Sequence, residues 1–422
     1  MTLRNALYGP VRENILMDRP ALTPALRRRL GLPLLLLYGV GITVGAGIYV
    51  LIGAVAGHAG RYAPWAFALA AAVMAFTVGS YAELATRFPV SAGEAAYVRA
   101  ATGSRAASTA VGLLTLLIGI VASATVSLGA AGYIGELVAL PRGVIAAAVL
   151  IALGAVAAWG ILESVLIASL FTLIEVGGLI VVIAAGWTAG VPAAAALTTP
   201  PPLDSALLSG IGTASLLAFF AFIGFEDLAN VVEEAKMPHR DIPRAMVGTL
   251  IVSTLLYLLV AAIAVAAVPP EALAASPAPL ALVMRNLTGA SPLLISLIAI
   301  VATLNTILAQ MTMAARVIYG MAKQNDLPAA LGAVHAGTGT PVVATALVVA
   351  ATLVLALTVP FERLAEGTSL ATLAVFAAVN LSLLRLRARG ERSPHPHVRV
   401  PIVVPAAGLA TCLAMIAVAL PA

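Results

Sequence analysis

Asp, Glu, Lys and Arg are missing from long uninterrupted stretches of this chain. The stretches run 30–60, 62–82, 106–135, 143–162, 164–174, 176–203, 205–225, 245–270, 286–315, 327–361, 367–384 and 400–422. A helix needs about 20 apolar residues to cross the hydrocarbon core of a bilayer. Trimmed at charges, prolines and glycines, the stretches predict eleven helices, near 34–57, 64–86, 108–133, 143–161, 164–187, 207–232, 245–268, 292–318, 341–359, 367–386 and 401–420. The charges between them suggest an orientation. With the N-terminus in the cytosol, only Arg61, Arg142, Arg285 and Arg363 of the 23 Lys and Arg residues fall on the outer side, as the positive-inside rule requires. Trp65, Trp159 and Trp187 each fall near a predicted helix end, where an aromatic belt would sit.

Composition agrees. The chain is 61% hydrophobic and 10% charged, with a mean hydropathy of +1.06, whereas a soluble domain carries roughly 25% charged residues. The fold class expected is an all-α polytopic membrane protein of the cell (inner) membrane, with lipid as its main surroundings. The net charge of +5 follows from topology and gives no reason to propose a nucleic-acid partner. Cys412 is the single cysteine, which excludes an internal disulfide or a cysteine metal cluster. Residues 1–33 read as a cytosolic arm carrying Arg27, Arg28 and Arg29, with no cleavable signal expected. The proline-rich VPAAAALTTPPPL, within an outer connection at 188–206, separates a first half at 34–187 from a second at 207–386. A cytosolic connection and the eleventh helix fill 387–422. Five helices per half put the halves in opposite orientations, which permits an inverted repeat.

The first helix contains GVGITVGAGIY at 39–49. At about 100° per residue, Gly39, Gly53 and Gly57 share one line, suited to close helix packing. Gly41 and Gly45 share another, and Gly47 lies on neither. Interior glycines weaken a helix by about 1 kcal/mol each relative to alanine. Spacing alone leaves two readings, helix packing or a break whose following half-helix offers amide groups to an anion.

Two other places carry intramembrane acids. Glu175 lies midway between Glu163 and Trp187, about 18 Å from each along a helix, and so near the bilayer centre. Its roles are proton carrier, ligand to a bound Na⁺ or cationic group, or neutral structural hydrogen-bonding residue. In FFAFIGFEDLANVVEEAK at 219–236, hydropathy leaves open whether Glu226 and Asp227 end a span or lie within one. Thr303 and Thr306, in VATLNTILAQ, either supply oxygens to a cation or bond to their own helix backbone.

Other signals point nowhere specific. His395 and His397 read as solvated loop residues, and His58, His239 and His335 fall at helix ends or loops. The sequence has no H-E-x-x-H, G-x-S-x-G or P-loop lysine motif, so a protease or an ATP-driven pump is not expected. No metal site or cofactor is implied.

Five stretches together resemble the amino acid–polyamine–organocation superfamily. They are GITVGAGIYVLIG at 41–53, YAELATRFPVSAGEAAYV at 81–98, FFAFIGFEDLANVVEEAKMPHRDIPRAM at 219–246, LAASPAPLA at 273–281 and AARVIYGMAKQNDLP at 314–328. The resemblance covers helices one to ten in order, although members typically have twelve helices and this chain is expected to have eleven. It implies a five-plus-five inverted repeat with helices one and six unwound midway. The amides around Val44, Gly45, Ala46 and Gly47 would then hold a substrate carboxylate. The carbonyls of Phe220, Ala221 and Ile223 would receive the ammonium group, with Phe220 as an aromatic lid. Gly224 would lie in the second break, and Glu226 and Asp227 in the first turn of the following half-helix, with Glu226 a candidate gate.

The function so implied is secondary-active amino acid transport by alternating access, and not an enzyme activity. Several proton-coupled members have a lysine near the place of Glu175, so a lysine-based mechanism is in doubt for this chain. The expectation is proton coupling with Glu175 as carrier and Thr303 as a further coupling residue. The alternatives are Na⁺ coupling or an uncoupled amino acid or polyamine exchanger.

Overall fold

The computed structural model describes residues 30–89, 93–159, 165–390, 393 and 396–419. The arm with Arg27, Arg28 and Arg29, Glu163 at the junction of predicted helices four and five, and Arg392 and His395 lie outside the described residues. Helices dominate: α1 (Leu32–Val44), α2 (Gly47–Ala59), α3 (Ala63–Arg87), α4 (Gly93–Thr102), α5 (Arg105–Gly135), α6 (Arg142–Trp159), α7 (Val165–Thr188) and α8 (Ala193–Thr198). There follow α9 (Ser205–Phe220), α10 (Pro238–Ala267), α11 (Pro270–Ala275), α12 (Pro279–Thr288), α13 (Leu293–Lys323), α14 (Val342–Thr358), α15 (Phe361–Ala388) and α16 (Val403–Ala419). Among the described residues the only β pairing is an isolated parallel bridge between Leu30 and Ala235.

Among the described residues, eight helical segments are long and apolar enough to cross a membrane. The eleven-helix expectation differs for physical reasons. The first predicted helix divides at Gly45 and Ala46 into α1 and α2, of 13 residues each, about 20 Å apiece. A 3-10 turn at Gly60–Tyr62 joins α2 directly to α3. α14 and α16, of 17 residues each, are shorter apolar helices.

The sixth predicted helix also divides. α9 begins at Asp204, whose carboxylate accepts the Leu207 N–H at 2.8 Å, and stops at Phe220. Beyond Gly224 the chain forms 3-10 turns at Phe225–Ala229 and Val232–Glu234. The expected second half-helix is therefore two tight turns, not an α-helix.

The apolar runs hid four short helices in the connections: α4, α8, α11 and α12. Proline at N1 or N2 opens both α11 and α12, where a missing N–H leaves no bond unmade. Within the core, α5 lies along α13, α10 packs on α3 and α1, and α15 packs on α5 and α16.

Candidate functional site

The two breaks cross at close range. A Cβ built on Gly47 would fall 2.5 Å from the Ala221 Cα. Gly224, at φ +132°, lies so near Ile42 that a Cβ there would sit 3.0 Å from the Ile42 carbonyl carbon. Only glycine fits both contacts, and only glycine adopts that φ at low cost. The Tyr257 hydroxyl on α10 lies 2.7 Å from the Thr43 carbonyl oxygen and 2.8 Å from that of Ala221, reaching an end of each break. From α13, the Thr306 hydroxyl oxygen accepts the Ala46 N–H at 3.2 Å.

Between the breaks lies a cavity of about 20 Å³, room for one water and too small for an amino acid. Ala46, Gly47, Phe220 and Ile223 line it, as do Thr43, Ala122, Thr306 and Gln310. Val44, Gly45 and Ala221, named with them from the sequence, are buried in the breaks outside the lining set. The Gly45 N–H is engaged by the Gly41 carbonyl at 3.1 Å and that of Ala46 by Thr306. The first backbone bond of α2 runs from Val50 to Ala46, so the unbonded amides of its first turn begin at Gly47. Of the carbonyls expected to face an ammonium group, that of Phe220 accepts the Ile223 N–H at 3.2 Å and that of Ala221 faces Tyr257. Each keeps a second lone pair. Phe219 packs edge-on against Phe376 and Phe222 against Tyr257, while Phe220 between them faces the cavity.

Glu175 is fully buried on α7 and does not line the cavity. Its Oε1 accepts the Asn305 side-chain N–H at 3.2 Å, and its backbone carbonyl accepts the Tyr49 hydroxyl at 2.5 Å. Tyr49 is held in turn, because its carbonyl accepts the Tyr133 hydroxyl at 2.6 Å. Glu175 thus joins α7 to α2 and to α13. Thr303 turns its hydroxyl to the Ala299 and Ile300 carbonyls of its own helix; of the two threonines, only Thr306 reaches the break.

At the second break, the Glu226 carboxylate accepts the Gly224 N–H at 2.8 Å, capping the turn it opens. Asp227 accepts from the Asn230 amide at 3.2 Å. Glu94, at the start of α4, accepts the Tyr81 hydroxyl at 2.9 Å and interacts electrostatically with both Glu226 and Asp227. Burial raises its carboxyl above the usual glutamate range, against the opposing pull of hydrogen bonds from its own backbone and from Tyr81. Among the described residues no group of three or more His, Cys, Asp and Glu side chains is placed to hold a metal ion.

A buried ion pair ties the end of α3 to the end of α15. Arg387 donates through Nε to Glu83 Oε1 at 3.1 Å and through Nη2 to Oε2. The same Arg387 Nη2 meets the Val400 carbonyl at 2.5 Å, and the Val400 N–H reaches Glu83 at 2.9 Å. Sequence reasoning passed over this pair, along with Tyr257, Asn305 and Gln310. For Asn305 and Gln310 a signal existed: they are the two side-chain amides in the uncharged stretch of α13 before Arg316.

The sequence is also similar to known proteins along nearly its whole length. The sequence model of the family described as Amino acid permease matches residues 30–422. The chain is 28% identical over 421 residues to the branched-chain amino acid permease BcaP of Bacillus subtilis, covering 93% of this chain and 88% of that one. It is 32% identical over 414 residues to an uncharacterised transporter of Mycobacterium tuberculosis, covering 96% and 89%. With the chloroplastic cationic amino acid transporter 9 of Arabidopsis thaliana it shares 32% over 338 residues, 74% of this chain and 58% of the relative. These relatives are transporters and not enzymes, and the match runs from the first described residue through both breaks to the last helix: the chain is a multi-pass membrane protein that belongs to the amino acid permease family of the amino acid–polyamine–organocation superfamily.

Proposed function

We propose that this permease is a secondary-active amino acid transporter, working by alternating access around the crossed breaks and coupled to protons through Glu175. The observation that carries the reading is the cavity enclosed by α1–α2, Phe220 and Ile223, and α13. The amides at the start of α2 favour a carboxylate, and the carbonyl ends of α9 favour an ammonium group. A zwitterion matches both at once. At about 20 Å³ the cavity corresponds to a collapsed state of the site, which opens to admit substrate.

Broken helices at corresponding places in the two halves support a five-plus-five inverted repeat. The charge asymmetry supports a cytosolic N-terminus in the inner membrane. The link from Glu175 to substrate is indirect. Glu175 holds Asn305, the neighbour of Thr306, and Thr306 holds the Ala46 amide. An ionised carboxylate at membrane depth costs several kcal/mol, so taking up and releasing a proton shifts the balance between packings of α13 against α1 and α2. Relatives are named for branched-chain and for cationic amino acids, so the family alone leaves the class of substrate open.

Proteoliposome uptake with an amino acid panel, under separately imposed proton and sodium gradients, tests the reading. Uphill accumulation driven by a proton gradient is expected. Accumulation driven only by sodium would overturn the coupling, and uptake of no amino acid under either gradient would overturn the transporter reading.

A further inference from the structure

Two residues that line the cavity each carry a side-chain oxygen with no hydrogen-bond partner among the described residues. One is the Thr43 hydroxyl, in the last turn of α1, and the other is the Gln310 side-chain oxygen on α13. Thr43 is 2% exposed and Gln310 is 9% exposed. Buried polar atoms are nearly always paired, and two orphans on residues that line one small cavity mark a place where a ligand can complete the bonding.

The position of Gln310 separates it from the groups that would hold the substrate main chain. Thr306, which accepts the Ala46 amide, lies one helical turn earlier, about 6 Å along the axis. The Gln310 amide therefore stands a turn beyond the break. Opposite it, α5 is kept close by Gly119, where an added Cβ would come within 3.2 Å of the Gln310 carbonyl oxygen. One turn further along α5, Ala122 lines the cavity with only a methyl group, leaving room beside Gln310. Ile42, Phe220 and Ile223 bound that room.

From these placements, and resting on the transporter reading, we infer that Gln310 and Thr43 form the side-chain subsite and select small, uncharged amino acids bearing a hydroxyl or amide, such as serine, threonine and asparagine. Three features of the cavity lead there. The amide oxygen accepts and the hydroxyl both donates and accepts, so together they satisfy a polar tip. None of the lining residues is charged, so a lysine or arginine side chain would bring a buried cation without a counter-charge. A valine or leucine side chain would leave both orphans unpaired, and a site built to bond a hydroxyl rejects the analogue lacking it far more strongly than an apolar pocket rejects an extra methylene.

Parallel uptake of radiolabelled serine, valine and lysine by the full-length protein in proteoliposomes tests this. The wild type is expected to take up serine with a kcat/KM at least tenfold above valine and lysine. Gln310→Leu is expected to lower the serine-to-valine ratio tenfold or more, and Thr43→Val to lower it in the same direction. A general packing defect would depress both substrates alike and leave the ratio in place. Should Gln310→Leu not fold, the wild-type ranking and Thr43→Val still decide. Preference for valine or lysine in the wild type, or an unchanged ratio in the variants, overturns the inference alone. Uptake of no amino acid at all overturns it together with the transporter reading.

Discussion

The hydroxyl of Tyr257 lies 2.7 Å from the carbonyl oxygen of Thr43, 214 residues away in the chain. The same hydroxyl reaches Ala221 at 2.8 Å, so one proton is shared between the ends of two helices that stop short in the middle of the protein. Its ring is held independently, edge-on to Phe222 at 4.9 Å and tilted against Phe67 at 5.8 Å. Tyr257→Phe therefore removes the bridge and keeps the packing. Loss of a buried donor costs about 1–3 kcal/mol. The expected outcome is a lower thermal stability in detergent and faster amide exchange confined to residues 43–47 and 221–224. Exchange that rises evenly along α10 instead would mean that the ring, and not the hydroxyl, is what matters.

How far the sequence foretold this arrangement varies from residue to residue. Three unaligned glycines within seven residues raised a break in the first helix, and the structure gives each a different neighbour. Gly41 faces Thr172, Gly45 faces Thr306 and Gly47 faces Ala221. The supposed single packing line of Gly39, Gly53 and Gly57 assumed an unbroken helix. With the break in place, Gly39 meets Leu228 and Thr249, while Gly53 and Gly57 meet Leu273 and Ala274 of α11. The place of Glu175 midway along α7 was legible because its distance from both ends of the helix follows from rise per residue. The partners of Tyr257, Asn305 and Gln310 were not, because a charge-free run fixes depth and leaves facing direction open. The 3-10 turns after Gly224 were hidden for another reason: LANVVEE has no glycine or proline to mark the loss of α-helix, and the contacts of these turns with α1 and α10 are not visible in the sequence.

Glu175→Gln separates carriage of a proton from structural bonding. The amide oxygen of glutamine can still accept the Asn305 N–H, and the backbone carbonyl that accepts Tyr49 is untouched. If Glu175 carries the proton, the variant loses proton-driven accumulation, by tenfold or more, while counterflow between labelled and unlabelled substrate continues. Retention of wild-type accumulation and pH dependence would remove Glu175 from the coupling step.

The pair of Arg387 and Glu83 predicts an asymmetric response. Their side chains are 11% and 1% exposed, and Glu83 also accepts the Val400 N–H. Arg387→Ala strands a buried carboxylate, and breaking a pair in this way typically costs about 3–5 kcal/mol. Glu83→Gln removes the charge, keeps an acceptor for Val400 and leaves Arg387 the Val400 carbonyl, so its loss is expected to be smaller. Thermal melts of both variants in detergent check this. Equal losses would mean that the shared contact with Val400, and not the charge pair, holds α3 to α15.

Glu94 predicts a dependence on pH with a definite sign. Its folded-state value is raised by burial, so the folded protein holds this proton at a pH where the unfolded chain, titrating near about 4.3, has released it. Below that value both states are protonated and the group contributes no slope. As pH rises through the window up to the folded value, the unfolded state gains ionisation that the folded state lacks, and stability falls by at most about 1.4 kcal/mol per pH unit. Above the folded value the penalty is constant. Glu226 and Asp227 face it, and Tyr81 opposes the upward shift by donating to the ionised form. Glu94→Gln keeps an acceptor for Tyr81 and cannot ionise. Melting temperatures measured from pH 4 to 8 are therefore expected to fall less steeply in the variant, which becomes the more stable of the two toward neutral pH. Parallel curves for variant and wild type would show that Glu94 ionises in the folded protein as readily as in water.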